Sequence, residues 1–267
     1  MPLLFSALLP HSPLLIPEIG KDNHPMLDKT LLAYSKIKEE IVDKEIDSII
    51  IISQHGELLT NSFSLGVAPE FEISFENFAS FTKKNPKKAN LLLADKFLEF
   101  LNKEIPCQFI ASQKLDYGSA IPLELLINDL ENIKVLPIFP AKNLSWLEHY
   151  NFGIKLGEFL ESRSEKVALI ISGDLSHTLK VSSPGGFSPK GQRFDNKIVE
   201  ILNEPNKAKE RLLKLNEENI KEAKECVLLP LLIGIGALGS SFKSKKLAYQ
   251  NDFGVGYLSY LFSNIYG

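Results

Sequence analysis

Cysteine is scarce in this chain, which has only Cys107 and Cys226 among its 267 residues. Two cysteines are too few for the disulfide framework of a small secreted domain, and they suit a reducing compartment. An excess of positive charge is also missing, because 30 basic residues face 33 acidic ones and the formal net charge is -3. Without a broad positive field, we expect no nucleic acid partner. These absences favour a cytoplasmic protein that acts on small molecules.

Long apolar runs are lacking as well. No run reaches the ~18 residues that a membrane-spanning helix needs, and no basic segment precedes the short apolar stretch of residues 3–9, as it would in a signal peptide. The sequence therefore predicts neither a membrane span nor a membrane partner. It also lacks the Gly-x-Ser-x-Gly motif of serine hydrolases and the Gly-x-x-x-x-Gly-Lys loop that binds phosphates, so neither enzyme class has local support.

The composition that is present is typical of an ordinary globular protein. Hydrophobic residues make up 44% of the chain and the mean hydropathy is -0.01, which is enough for a sizeable core. A chain of this length forms one domain or two. We expect a single domain over residues 1–267.

Segments with two kinds of apolar pattern alternate along the chain. Runs rich in β-branched residues predict strands, whereas apolar residues at helical spacing predict helices. The predicted strands are residues 3–9, the isoleucine run 49–52, short strands within 62–81, then 107–111, 133–139, 166–172, 246–251 and 255–262. The predicted helices are residues 26–44, 88–103, 123–130, 143–161 and three stretches within 192–238, after a loop at 182–191. This alternation favours an α/β domain in which helices flank both faces of a mostly parallel or mixed central sheet.

Three of the five histidines follow predicted strands. His11 comes after the first strand, His55 after the isoleucine run and His177 after the strand that starts at residue 166. Ligands of open α/β sheets gather beyond the carboxyl ends of the strands, so we expect these three side chains to share a site. His24 and His149 lie at a helix start and within an amphipathic helix, and neither is assigned a role.

Two neutral imidazoles and one carboxylate form the facial set that binds non-haem Fe(II) and leaves positions open for substrate and dioxygen. Glu225 is the preferred carboxylate, because it directly precedes an apolar run in which an unpaired charge would be costly to bury. Cys226 is the alternative ligand. Neighbouring residues of a helix point ~100° apart, so the two side chains are not expected to face one metal ion together. Pro230 predicts a kink or a helix boundary near this point.

Five short motifs follow one another in an order that resembles a known family. They are Leu-Leu-Pro-His11-Ser-Pro, Ser53-Gln-His55-Gly, Gly173-Asp-Leu-Ser-His177, Gly191-Gln-Arg-Phe-Asp195, and Glu225-Cys226 followed by Pro230-Leu-Leu-Ile-Gly-Ile-Gly-Ala-Leu. Together they span nearly the whole chain. They resemble the LigB-type class III extradiol dioxygenases and, more narrowly, the Memo and AmmeMemoRadiSam protein B branch of that superfamily.

The resemblance implies a LigB/phosphorylase-like α/β fold. It also implies Fe(II), or another divalent metal, bound by His11, His55 and Glu225, with His177 beside the metal as the catalytic acid–base residue. The implied activity is that of an oxidoreductase, in which dioxygen opens the ring of a small catechol-type aromatic beside its two hydroxyl groups. Asp174 and Ser176, in the motif of His177, are implied as residues next to the metal or the substrate.

One motif departs from the family pattern. Many ring-cleaving relatives have Asp-His-Gly where this chain has Asp116-Tyr117-Gly118, so Tyr117 takes the place of a histidine near the metal, and substrate choice or activity is expected to differ. A second interpretation is a Memo-like protein that binds a metal or a ligand, with Cys226 taking part, in a redox or radical-SAM-associated function without ring cleavage. A metal-dependent hydrolase is a third, because such sites also activate water. The sequence leaves a homo-oligomer open.

Overall fold

The computed structural model describes residues 3–239 and 242–264. Its strands are β1 (Leu3–Leu9), β2 (Ser48–Ile52), β3 (Phe63–Val67), β4 (Glu70–Phe71), β5 (Lys87–Lys88), β6 (Cys107–Ala111), β7 (Lys134–Phe139), β8 (Val167–Ser172), β9 (Phe242–Gln250) and β10 (Tyr257–Asn264). Its α-helices are α1 (Pro17–Gly20), α2 (Asp28–Asp43), α3 (Leu91–Leu101), α4 (Tyr117–Ile127), α5 (Trp146–Glu161), α6 (Pro189–Leu202), α7 (Ala208–Leu212), α8 (Glu217–Ala223) and α9 (Leu228–Leu238).

Eight strands form one mixed sheet in the order β6-β3-β7-β2-β8-β1-β10-β9, while β4 and β5 pair separately. The centre of the large sheet is parallel, since β7, β2, β8 and β1 run in the same direction. Their carboxyl ends therefore meet at one edge. β10 is antiparallel to β1, and β3 is antiparallel to β7. Every residue of β2 is buried, as expected for a strand that is covered on both faces.

Two hydrophobic cores lie on opposite faces of this sheet. Along β1, Leu8 contributes to one core and Leu9 to the other, as the alternation of side chains in a strand requires. The first core contains buried residues of α3, α5, α6 and α9, and the second contains buried residues of α2 and α4. Helices thus flank both faces, and the predicted single-sheet α/β fold is confirmed.

Glycines allow α5 and α9 to pack closely. A Cβ atom at Gly153 of α5 would collide with the carbonyl of Ile233, and one at Gly236 of α9 would collide with the carbonyl of Tyr150. Gly234, Gly236 and Gly239 have the Gly-x-Gly-x-x-Gly spacing found in dinucleotide-binding loops, but two of them lie inside α9 and the third ends it. Gly236 packs against α5 and Gly234 against Ile171 of β8. The spacing does not mark a nucleotide site, because a nucleotide motif requires a turn between a strand and a helix.

The start of α4 and the number of helices in residues 189–238 differ from the prediction. The helix expected to begin at residue 123 begins at Tyr117, since the Asp116 side chain caps it by accepting a hydrogen bond from the Ser119 N–H at 3.0 Å. Pro122 consequently lies inside α4 instead of in its first turn. Residues 189–238 contain four α-helices where three were predicted, and α9 begins two residues before Pro230, which confirms the expected boundary.

Membrane insertion through a helix has no support in the described ranges. None of the helices there combines the length and the apolar character that crossing a bilayer demands.

Candidate metal centre

Side chains that can bind a metal or transfer a proton lie together beyond the carboxyl ends of three adjacent parallel strands. His11 follows β1, His55 follows β2, and Asp174 and His177 follow β8. In the sheet β8 lies between β2 and β1, so these loops are neighbours. Cys226 joins them from the segment before α9. The structure therefore brings the three histidines together in one cluster at this edge.

His11, His55 and Cys226 form a group of candidate metal ligands. Each offers one donor atom, and these atoms all lie within 4.8 Å of one another. The Nε2 atom of His11 is 3.3 Å from the Cys226 sulfur. The two imidazole rings meet edge to face, with their centroids 4.7 Å apart. Two nitrogens and one sulfur at this spacing can bind a transition metal ion.

A second group of candidate ligands shares the same sulfur. It consists of Asp174, His177 and Cys226, again with donor atoms within 4.8 Å of one another. Asp174 Oδ2 lies 3.9 Å from the Nε2 atom of His177 and 3.9 Å from that of His11, and Asp174 Oδ1 accepts a hydrogen bond from the His11 backbone N–H at 3.0 Å. The Asp174 carboxylate thus links the two groups.

The tautomer of His11 follows from its hydrogen-bond partners. Ser172 has one hydroxyl proton, which it donates to the Gly118 carbonyl oxygen at 2.5 Å. Its oxygen must then accept a hydrogen bond from His11 Nδ1–H, at 2.9 Å. This arrangement leaves the lone pair on Nε2, the atom that faces the sulfur of Cys226. Such partners orient ligating histidines in metal sites.

Pro122 makes the Gly118 carbonyl available for this contact. In an α-helix the N–H of residue 122 would donate to the carbonyl of residue 118, but proline has no N–H. The freed Gly118 oxygen accepts the Ser172 hydroxyl instead. The sequence signal for this relation is a proline four residues after a glycine, and it was missed because the helix was expected to start later.

Replacing Ser172 with alanine should weaken metal binding ~10- to 100-fold, the usual cost of losing a residue that orients a ligand. The change removes the acceptor of His11 Nδ1–H and so frees the ring and its tautomer. Isothermal titration of the metal-free protein with Zn²⁺ measures the effect. Ser259→Ala is the matched control, since this buried strand serine has no hydrogen-bond partner for its hydroxyl. Equal affinities in both variants would contradict the assignment.

Both candidate histidine ligands are neutral near physiological pH. Burial, followed by the nearby His177 ring, lowers the pKa of His11 to about 3. Burial, followed by the neighbouring His11, lowers the pKa of His55 to about 4. Protonation therefore does not compete with metal binding at these rings around pH 7.

In the metal-free protein, the imidazole NMR signals of His11 and His55 should not titrate between pH 7.5 and about 5. At pH 5 only about 1 in 100 His11 rings and about 1 in 10 His55 rings carry a proton. Protein stability should fall as the pH is lowered, because each pKa lies below its unfolded-state value of 6.5. The stability that each neutral ring contributes is present above that value and is lost as the pH falls towards the folded-state pKa. A titration midpoint above pH 6 for either ring would contradict the described burial.

Cys226 is a buried thiol that a cation would be expected to ionise. Burial, and then the nearby Asp174 carboxylate, raise its pKa well above the usual value. The Asp174 backbone N–H donates a hydrogen bond to the sulfur at 3.2 Å. A coordinated metal ion deprotonates a thiol outright, so a bound ion would convert the sulfur from a neutral group to a thiolate ligand.

Glu225, the preferred third ligand of the sequence, lies outside both ligand groups. Its Oε2 atom accepts hydrogen bonds from the backbone N–H groups of Val227 at 2.5 Å and Leu228 at 2.7 Å. These donors lie at the start of α9, where helix N–H groups have no intrahelical partner. The structure therefore brings the alternative, Cys226, together with the histidines and assigns Glu225 to the helix start. Burial raises the pKa of this carboxyl to about 7.

His177 and Ser176 occupy different positions in the loop after β8. The side chain of His177 is 25% exposed, the highest fraction in its ligand group, and its Nδ1 atom is buried without a hydrogen-bond partner. The Ser176 hydroxyl donates to the Ala223 carbonyl at 3.2 Å and lies 3.0 Å from the Thr178 hydroxyl. The Ser176 hydroxyl is thus engaged with the end of α8 and with Thr178, whereas the His177 ring is partly exposed.

Tyr117 lies against His55. Its hydroxyl is 3.0 Å from Nδ1 and 3.1 Å from Nε2 of that ring, and burial raises the pKa of the phenol. Asp116 supports the pair, because it accepts the Ser53 hydroxyl at 2.6 Å while Ser53 accepts the His55 backbone N–H at 3.2 Å. A Cβ atom at Gly118 would collide with Ser53, so glycine permits this close approach.

A cavity of about 330 Å³ opens beside His55 and Tyr117. Phe71, Phe78 and Phe139 contribute to its walls, and the Phe78 ring meets Tyr117 edge to face with centroids 5.5 Å apart. Aromatic walls next to a candidate metal centre suit a small planar ligand. The cavity could not be predicted from the sequence, because its walls come from four separated segments.

The sequence matches a known protein family. The family model of the catalytic LigB subunit of aromatic ring-opening dioxygenase matches residues 6–262. Protein CA_C1420 of Clostridium acetobutylicum is 30% identical over 261 residues, covering 94% of this chain and 55% of that protein. The chain therefore spans about half the length of this curated relative.

A relative that is named for its activity and a solved structure are also similar to this chain. The 2,3-dihydroxyphenylpropionate/2,3-dihydroxicinnamic acid 1,2-dioxygenase of Klebsiella pneumoniae is 30% identical over 126 residues, covering 44% of this chain and 40% of that protein. The crystal structure of the uncharacterized protein JW3007 from Escherichia coli has a TM-score of 0.71 at 18% identity, over 97% of this chain and 99% of that one. This last likeness concerns the fold alone. The resemblance to LigB proteins is confirmed, and its narrower Memo-like form stays a prediction.

Proposed function

This chain belongs to the family of the catalytic LigB subunit of aromatic ring-opening dioxygenases, and from that premise we propose that it is an Fe(II)-dependent dioxygenase that opens the ring of a small aromatic diol. The observation that carries the proposal is the group of two neutral histidines and one thiol beside an aromatic-walled cavity. In this proposal His11, His55 and Cys226 are the metal ligands and His177 is the acid–base residue.

The donor atoms fit a divalent transition metal. The Nε2 lone pair of His11 points to the Cys226 sulfur, and both imidazoles are neutral at pH 7. Imidazole suits iron, zinc and copper, and a thiolate is accepted by iron and zinc as well. Asp174 supplies a carboxylate next to the same sulfur. The set differs from the expected one only in having the sulfur of Cys226 where a Glu225 carboxylate was preferred.

Bound Fe(II) would supply a Lewis acid with open positions for the two diol oxygens and dioxygen. The chain itself would orient the ring between the phenylalanines of the cavity and limit access of water. His177 would take a proton from the diol and return one as the ring opens, since histidine exchanges protons near neutral pH. Asp174 Oδ2, 3.9 Å from His177 Nε2, would stabilise the protonated ring.

Anaerobic Fe(II) loading followed by oxygen uptake on a panel of catechols tests this function. The panel should include 2,3-dihydroxyphenylpropionate, which the name of the Klebsiella relative points to. Oxygen consumption coupled to a yellow ring-opened product is the expected result. Turnover without oxygen consumption would favour a hydrolase, and absence of turnover with every catechol would reject ring opening.

A protein that binds a metal without ring opening is the second candidate. The observation that favours it is the thiol of Cys226 among the donors, since sulfur ligands also suit redox and storage sites. The same experiment separates the two functions. Stoichiometric metal binding with no oxygen uptake would support this candidate.

Tyr117 variants should change substrate choice more than metal binding. Tyr117→Phe removes the hydroxyl beside His55 and keeps the ring against Phe78, so we expect a raised KM for catechols and an unchanged metal content. Tyr117→Ala enlarges the cavity and should admit bulkier diols. Steady-state kinetics with catechols of increasing size measure both effects. A loss of bound metal in Tyr117→Phe would instead make the phenol part of the metal site.

A further inference from the structure

Asp195 is a buried carboxylate that the metal centre does not use. It lies on α6, is 1% exposed and closes the Gly191-Gln-Arg-Phe-Asp195 motif. Its Oδ1 atom accepts the Ser176 backbone N–H at 2.9 Å, and its Oδ2 atom accepts the Tyr249 hydroxyl at 2.7 Å. In the part of the chain that the structure describes, no lysine or arginine compensates its charge.

Burying an unpaired carboxylate is costly, so its presence requires a compensating role. Both oxygens act as hydrogen-bond acceptors here, which an apolar residue cannot do. Space for the carboxylate is provided by Gly256, where a Cβ atom would collide with Oδ2. Burial raises the pKa of Asp195 to about 7, and the bonds from Ser176 and Tyr249 oppose that rise. Ser176, Tyr249 and Gly256 thus accommodate this one side chain.

The bond from Ser176 fixes the backbone between Asp174 and His177. The Gly256 N–H donates to the Ser176 carbonyl at 2.8 Å, and the His177 N–H donates to the Ala223 carbonyl at 2.8 Å. The segment is therefore attached to α6, to the turn before β10 and to the end of α8. Side chains add to these attachments, because the Ser176 hydroxyl donates to the Ala223 carbonyl and the Asp174 N–H donates to the Cys226 sulfur, but only Asp195 reaches the Ser176 N–H.

We propose that Asp195 is the positioning residue of the loop that carries His177, through its hydrogen bond to the Ser176 N–H. The proposal rests on the proposed function in so far as His177 is the acid–base residue. His11, His55 and Cys226 make no hydrogen bond to Asp195. Loss of the carboxylate should thus displace His177 and leave the metal ligands in place.

Imidazole NMR of the metal-free protein tests the proposal without any need for turnover. The chain has five histidines, so the spectrum is simple, and His177→Ala assigns the signal of interest. Asp195→Ala should shift or broaden the His177 signal and leave those of His24 and His149 unchanged. Asp195→Asn should restore it, because the amide oxygen can accept the Ser176 N–H while the amide nitrogen donates to the Tyr249 oxygen.

In the iron-loaded enzyme, Asp195→Ala should lower kcat ~100-fold, with KM for catechol and metal content unchanged, since a displacement of about 1 Å costs that much. A folded Asp195→Ala protein with an unmoved His177 signal would overturn the proposal and leave the ring-opening function standing. If Asp195→Ala does not fold, Gly256→Ala displaces the carboxylate without removing it and should move the same signal. Loss of the fold in both variants would also overturn the proposal, because Asp195 would then serve stability alone.

Discussion

Cys226→Ala is expected to lower the affinity for Fe(II) by more than ~100-fold, which exceeds the usual effect of losing a residue that only supports a ligand. The sulfur is one of three donor atoms within 4.8 Å of one another, and it belongs to both candidate ligand groups. Without the sulfur, His11 and His55 are the only two donors left in the first ligand group. Anaerobic Fe(II) titration against a competing chelator measures the affinity, and Co²⁺ substitution adds a thiolate charge-transfer band that should vanish.

Glu225→Gln is the control for this result. The glutamine oxygen can still accept the backbone N–H groups of Val227 and Leu228, so the start of α9 is preserved. Metal affinity and the Co²⁺ band should both remain. A loss of metal in Glu225→Gln, together with retention in Cys226→Ala, would reverse the assignment and make Glu225 the third ligand.

His177→Ala is expected to reduce ring-opening turnover ~10²- to 10⁴-fold, the range that removal of a general acid or base produces. Iron content should be unchanged, since His11, His55 and Cys226 form a complete ligand group without it. Single-turnover oxygen uptake by iron-loaded protein separates this chemical step from metal binding.

His24→Ala serves as the matched control, because this histidine lies in the 3-10 helix Lys21–Leu27, away from the ligand groups. Its turnover and iron content should equal those of the unaltered protein. If His177→Ala loses its iron, His177 is a ligand, and the group of Asp174, His177 and Cys226 would describe the metal site better than the first group. Unchanged turnover would remove His177 from the chemistry.

The sheet and the position of its histidines were predictable because both depend on short-range patterns. Four consecutive isoleucines suffice to indicate a strand buried on both faces, and β2 is one. Once parallel strands are assigned, the rule that ligands gather at their carboxyl ends brings His11, His55 and His177 together. The convergence of these residues follows from topology and needs no knowledge of side-chain contacts.

The choice between Glu225 and Cys226 was beyond the sequence, since it depends on how one turn before α9 directs two adjacent side chains. The unsatisfied N–H groups at the helix start attract the carboxylate, and that requirement places Glu225 away from the histidines. The series of contacts that leads from Pro122 through Gly118 and Ser172 to His11 could not be predicted for a similar reason. It joins residues of three separate segments, and only coordinates bring them into contact.

X-ray absorption at the iron K-edge of anaerobically loaded protein shows whether the sulfur of Cys226 binds the metal. We expect one sulfur scatterer at ~2.3 Å together with nitrogen or oxygen scatterers at ~2.0–2.2 Å, the ranges typical of thiolate and imidazole ligation. The sulfur shell should disappear in Cys226→Ala and persist in Glu225→Gln. An iron site with only nitrogen and oxygen neighbours in the unaltered protein would contradict the assignment of Cys226.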